Sequence, residues 1–210
     1  MKEFNISCLK GQGQALGFFL RKMSYAYCPS WRPIAYNVNN IQNVLYGDNV
    51  IVPDMVTFMK KLTDLQFQVE SNYEDEFLIE TYSANGSFSS EDFNVGSHSI
   101  KCVSPSIQLL ASVENAPIQI TIIYRKSFGV HTSEDNLNFL LSKKVTQFSD
   151  GFKTMLSNHS EVQAFVFDVE ETGFDTENLN IKISCKNNDE QAVLKESINC
   201  ALETLAKATI

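Results

Sequence analysis

Gly11, Gly13 and Gly17 stand where chemistry is most readily built, between a short alternating apolar run and a longer helical one. Glycines at such a junction leave backbone N–H groups open to a phosphate, with the helix N-terminus behind them. The pattern here is Gly-x-Gly-x-x-x-Gly, one residue longer than the dinucleotide fingerprint Gly-x-Gly-x-x-Gly. The next apolar run ends in "YNVNN", so no Asp or Glu is placed to take a ribose hydroxyl. The glycines are therefore expected to turn the chain rather than to hold a nucleotide. His98, His131 and His159 sit in separate polar segments, with no partner four residues on and no cysteine at ligand spacing. There is no Gly-x-Ser-x-Gly, although a Ser-His-Asp constellation assembles in space and not in sequence. The three histidines are expected to be solvated loop residues. The acidic groups at 74–76, 170–171 and 189–190 read as solvated turns and a helix N-terminus. No catalytic residue, no cofactor and no metal is expected.

Composition narrows the partners. The 210 residues carry 17 Lys and Arg against 25 Asp and Glu, for a formal net charge of -8, with 43% hydrophobic residues. The sequence pI is about 4.9. Basic residues never run longer than pairs, whereas duplex binding draws its affinity from neutralised phosphates. Direct DNA binding is not expected. The first residues, "MKEFNISCLKG", lack the pattern of a secretory signal. No apolar run approaches the roughly eighteen residues of a membrane span, so no membrane partner is expected. The five cysteines are scattered without Cys-x-x-Cys spacing and read as reduced, partly buried thiols.

The elements that must position these residues are legible in part. Phe4–Leu9 alternates as a strand, and Ala15–Tyr27 follows as a helix with Leu16, Phe19, Leu20, Met23 and Tyr27 in register. Phe18 and Ala26 widen its apolar face until it needs cover from more than one direction. Arg32–Val38 reads as a strand. A second helix follows, opened by Pro53 and carrying Met55, Phe58, Met59 and Leu62 on one face. Strands are expected at 65–69, 77–82, 100–103, 107–112 and 118–125. The tract "SANGSFSSED" (83–92) reads as a loop, and 132–160 shows no clear pattern. "AFVFDVE" and "LNIKISC" read as a final pair of strands. The closing helix is expected to start on an Asn188/Gln191 capping box and to align Leu194, Ile198, Ala201, Leu202 and Leu205. Strands in the middle with helices near both ends predict an α+β fold. The two apolar helices either pack on each other within one core or meet their copies across a two-fold interface.

Taken in order, four segments resemble the N-terminal part of the bacterial-type RNA polymerase alpha subunit. "LKGQGQALGFFLRKMSYAYCPSWRPIAYNVN" resembles its Gly-rich turn and Leu-Gly-x-x-Leu-Arg-Arg helix, with Leu16, Gly17, Leu20 and Arg21 matching, Lys22 at the second Arg and Pro29 at the break. "VIVPDMVTFMKKLTDLQFQV", "IKCVSPSIQLLASVENAPIQITIIYR" and the stretch from "FVFDVEE" to "CALETLA" are similar to the family's later elements. Gln14-Ala15 stand in place of His-Thr, Phe18-Phe19 in place of Asn-Ala, "KLTD" in place of Asn-Leu-Lys-Gly, and "RKSFGVH" in place of a Gly-Arg-Gly-Tyr run.

The resemblance implies a scaffold with no chemistry of its own, part of a nucleotidyltransferase complex. It would pair with itself or with a sister alpha and dock the beta and beta-prime subunits. It implies two subdomains, residues 1–40 and 152–210 for dimerisation and 41–151 as an inserted assembly subdomain. The dimer face would be Leu16, Phe19, Leu20 and Met23 with Leu194, Ile198, Leu202 and Leu205. Arg21 and Lys22 would contact a large subunit. A divergent alpha without the C-terminal DNA-binding domain is expected, in the cytoplasm or a plastid stroma. The rival expectation is a stand-alone homodimeric adaptor.

Overall fold

A computed structural model describes residues 1–39, 51–69, 75–112, 117–145, 151–185 and 189–207. In chain order the elements are β1 (Lys2–Leu9), α1 (Gly13–Tyr27), β2 (Ser30–Val38), β3 (Ile51–Val52), α2 (Met55–Asp64), β4 (Phe67–Val69), β5 (Phe77–Asn85) and β6 (Ser87–Ser89). There follow β7 (Ile100–Cys102), β8 (Gln108–Ser112), β9 (Pro117–Ser127), β10 (Gly129–His131), α3 (Ser133–Ser142), β11 (Lys153–Thr154) and β12 (Ser157–His159). The last elements are β13 (Val162–Glu171), β14 (Thr176–Cys185) and α4 (Glu190–Lys207). The fold is α+β, as the placement of strands and helices predicts. The chain divides into two compact units, Met1–Ser30 with His159–Ile210, and Trp31–Asn158.

The first unit is an antiparallel sheet in the order β1-β14-β13, with α1 and α4 packed beside each other and against it. Its strands alternate, apart from an irregularity between Val162 and Ala164 at the start of β13. Leu179, Ile181 and Ile183 of β14 are buried on the helix side, where Phe4, Ile6, Phe165 and Phe167 join them. Asn5, Asn180, Asp168 and Lys182 fall on the opposite set of positions, and Lys182 pairs with Glu3 at 2.8 Å. This one-sided pattern belongs to an antiparallel sheet with one face on a core.

The second unit holds a four-stranded sheet, β11-β2-β9-β5, together with the smaller β3-β8-β6, β4-β7 and β10-β12 sheets. Its core is aromatic. Phe67 meets Tyr124 at 4.9 Å between ring centroids, Tyr82 meets Phe93 at 4.8 Å, and Phe88 meets Phe93 at 5.0 Å, all edge to face. The Tyr124 hydroxyl donates to that of Tyr82 at 3.2 Å, and burial lifts both phenols above their usual range. On the other side of β2 and β9, Leu140 of α3 packs with Ile34, Ala35 and Ile123.

Four expectations are corrected. The second helix is opened by Asp54, whose carboxylate accepts from the Thr57 N–H at 2.9 Å, so Pro53 lies just outside it. The stretch 83–92 contains the end of β5 and all of β6, joined at Gly86, which takes φ +73°. The unpatterned stretch 132–160 contains α3, which begins on a Thr132/Asp135 capping box. In α4 the cap is Asp189, which accepts from the Ala192 N–H at 3.0 Å; Asn188 lies outside the described residues.

The buried hydroxyl pair gives a stability test. Tyr124→Phe is expected to cost about 1–3 kcal/mol, since it leaves the Tyr82 oxygen without its donor in an apolar core. The Tyr82→Phe/Tyr124→Phe double variant should cost clearly less than the sum of the two single changes in urea unfolding.

Candidate functional site

Gly11 turns the chain out of β1 with φ +88°, a conformation open to a residue without Cβ. The following helix has no cap of its own: the Gln12 side chain makes no capping bond and the first turn holds no acid. The missing partner comes from the sheet. Glu177 of β14, buried itself, accepts the Gly13 N–H on Oε1 at 2.5 Å. A carboxylate at a helix N-terminus meets both an unpaired N–H and the positive end of the helix dipole. The first helical N–H, which a phosphate at this position would need, is already taken by the chain's own side chain.

Two of the glycines then let α1 lie directly on the sheet. A Cβ at Gly13 would stand 2.8 Å from Glu177 Oε1 and 3.0 Å from a Val169 methyl, and a Cβ at Gly17 would run into the Phe167 ring. Gly13, Gly17, Leu20 and Ser24 are the buried stripe of α1. Its flank still touches the sheet at Phe18, whose ring meets Phe167 edge to face at 5.2 Å between centroids, and beyond it the helix faces outward. Phe18 is 56% exposed and Phe19 41%, and Tyr25 is exposed as well. Phe18, Arg21, Lys22 and Tyr25 follow the i, i+3, i+4, i+7 spacing of one stripe. Arg21 and Lys22 are exposed, and neither makes an ion pair among the described residues.

The candidate interface residues separate into two sets. Leu20 and Leu194 are buried within this chain, in one cluster against which Leu16 and Ile198 pack. Met23 is half-buried, whereas Phe19 and Leu202 are exposed, Leu202 at 57%. The Leu205 side chain lies outside the described part of α4. Phe18 and Tyr25 were not singled out as exposed from the sequence, although their spacing with Arg21 and Lys22 was there to read.

The titratable groups elsewhere are occupied in structural roles. His159 is fully buried and its Nδ1 lies 2.9 Å from the Ser30 carbonyl oxygen, which corrects the expectation of a solvated loop residue. His98 is half-buried, its Nδ1 2.8 Å from Glu80 Oε2 and its ring beside Tyr82. His131 Nε2 stands 2.9 Å from Ser127 Oγ but also 3.1 Å from the Phe128 carbonyl oxygen. The nearby Asp135 carboxylate accepts from the Thr132 N–H and hydroxyl, which hold it below its usual range, with His131 and Arg125 adding to that pull. Burial, reinforced by the Glu161 carboxylate, pushes the Cys28 thiol up to about 12. Cys185 is pushed up to about 12 by burial and by Glu190. Both stay protonated and unreactive at neutral pH. Among the described residues no group of three His, Cys, Asp or Glu side chains is placed to hold a metal ion, and no helix is long and apolar enough to cross a membrane.

No family model matches the chain. It is similar to a DNA-directed RNA polymerase subunit alpha of Campylobacter jejuni subsp. doylei, with 23% identity over 198 residues, 94% of this chain and 56% of that protein. The chain thus spans a little over half the length of this relative. The likeness is distant.

The seating of α1 predicts the sign of a mutation. Gly17→Ala would gain roughly 1 kcal/mol of helix propensity in isolation. Here the overpacking cost of about 1–3 kcal/mol against Phe167 should outweigh it. Urea unfolding should show net destabilisation, relieved in a Phe167→Leu background.

Proposed function

We propose that the chain is a non-catalytic assembly subunit of a multisubunit DNA-directed RNA polymerase. The observation that carries this reading is the distant similarity to a polymerase alpha subunit over 94% of this chain. The arrangement of α1 supports it. One face is committed to the sheet through Gly13 and Gly17, and the other presents aromatic and basic side chains to solvent. That division suits a helix whose outward face meets another protein rather than a small molecule.

In this reading two copies meet through the layer formed by α1 and α4, with Phe19, Met23 and Leu202 at the seam. Leu16, Leu20, Leu194 and Ile198 support that seam from beneath, since they already pack inside one copy. A two-fold contact places the same patch on both sides, so one stripe of side chains serves twice. A stable pairing needs about 800 Å² from each partner, more than Phe19 and Leu202 supply alone, so the flanks of both helices take part. Arg21 and Lys22, uncommitted to any ion pair in the described chain, reach a large subunit. There Arg21 presents a planar fork to a carboxylate where Lys22 offers a point charge. Magnesium and nucleotidyl transfer belong to the large subunits.

Two substitutions separate the roles. Leu202 is exposed, so Leu202→Asp should change the stability of the isolated fold by no more than about 0.5 kcal/mol. A charge in an apolar seam is costly, so sedimentation should nevertheless show the dimer lost, and large-subunit capture lost with it. A Leu202→Asp variant that stays dimeric contradicts the α4 assignment. Arg21→Ala should leave the dimer intact and weaken capture of a co-expressed large subunit by roughly tenfold or more, the range of a charged hydrogen bond. Unchanged capture removes that role from Arg21.

A further inference from the structure

The turn between β5 and β6 is built from Asn85 and Gly86, and its geometry leaves the reactive groups of that dipeptide open. Asn85 is exposed and is the last residue of β5, where its partner across the ladder is Pro117. Proline has no N–H to offer, so the pairing ends there without a bond from that residue. Gly86 takes φ +73°, and its carbonyl oxygen is held by the Ser112 N–H at 2.7 Å. The Gly86 N–H and the Asn85 side-chain amide make no hydrogen bond among the described residues. With no Cβ on Gly86, nothing shields its nitrogen from the neighbouring side chain.

We propose that Asn85 is a self-modification site, converting to aspartate and isoaspartate through a cyclic imide with water as the only co-reactant. The Gly86 nitrogen gives up its proton and bonds to Asn85 Cγ. The Cγ–Nδ2 bond breaks, and ammonia leaves with that proton. Water then opens the five-membered ring at either carbonyl. Opening at the main-chain carbonyl frees that carbon as a carboxylate beside the chain and routes the backbone through Cγ. Opening at Cγ restores the ordinary backbone with an aspartate side chain. No electrons are transferred. Either product adds a negative charge at this corner, and the isoaspartate form also inserts a methylene where β5 passes into β6.

Other asparagines provide controls within the same molecule. The Asn94 amide is clamped on the Cys102 backbone, donating to its oxygen at 2.9 Å and accepting from its nitrogen at 2.8 Å, and the β-branched Val95 follows it. Asn39 Oδ1 accepts from the Gln119 N–H at 2.7 Å. Their side chains are held, whereas the Asn85 side chain makes no hydrogen bond among the described residues.

The test is peptide mapping by mass spectrometry of the full folded chain, held warm at mildly alkaline pH. Isoaspartate is labelled with an isoaspartyl methyltransferase. The peptide containing Asn85 should convert to the acid mass in two isomeric forms, at a rate close to that of the urea-unfolded chain, while the Asn94 peptide stays intact. Asn85→Gln should fold with an unchanged circular dichroism spectrum and show neither product at that position. Asn85 remaining an amide in the folded chain, over the time in which the unfolded chain converts, would overturn the proposal.

Discussion

The first unit rests on the absence of side chains at Gly13 and Gly17. Because neither glycine carries a Cβ, α1 lies against Val169 and Phe167 of β13 with backbone facing side chain. The Glu177 carboxylate reaches the first helical N–H from the middle of the same sheet. The close seating fixes both the height and the rotation of the helix. Once that rotation is set, Leu20 and Ser24 must point inward and Phe19, Arg21, Lys22 and Tyr25 outward, with the Phe18 ring at the margin against Phe167. The outward surface of α1 is thus decided by two residues that lie beneath it. A buried carboxylate bound to a backbone N–H is also costly to leave unpaired, so Glu177 and Gly13 hold each other in place.

This constraint explains which parts of the fold could be read from the sequence. The period of α1, the alternation of β13 and β14 and the apolar face of α2 are local patterns, and each element forms where its pattern lies. The identity of the helix partner is not local. Glu177 lies 164 residues from Gly13, and nothing in the Gly-rich stretch indicates that its N-terminus is already filled. The stripe Leu194, Ile198, Leu202 reads as one surface, yet Leu194 is buried within the chain and Leu202 stands outside it. Periodicity names the face of a helix, but only tertiary packing decides how much of that face the chain itself covers.

The helix α3 escaped for a different reason. Its capping box uses Thr132 and Asp135 rather than the Ser or Thr with Glu or Gln that marks a start most plainly. Its end carries no glycine; Lys144 takes φ +51° instead. Three apolar residues, Phe139, Leu140 and Leu141, stand side by side, so the helical period is blurred, and Leu140 alone of them is fully buried. His159 escaped because a polar neighbourhood in sequence, "LSNHSE", became the buried end of a strand, where its imidazole meets the Ser30 carbonyl. For α3 the local signals themselves were weak, whereas for His159 the stabilising contact came from another element.

The Gly13 N–H bound by Glu177, the protonated buried thiols and the exposed Phe19, Arg21, Lys22 and Tyr25 of α1 are the features on which the proposed assembly role rests. The central claim, that this surface serves a polymerase, is tested most directly by purifying the tagged chain from its source cells and identifying by mass spectrometry what stays bound. The account predicts two very large polymerase subunits, each at half the molar amount of the chain. Recovery of the chain alone, as a dimer, would contradict it and would assign the same fold to a stand-alone adaptor.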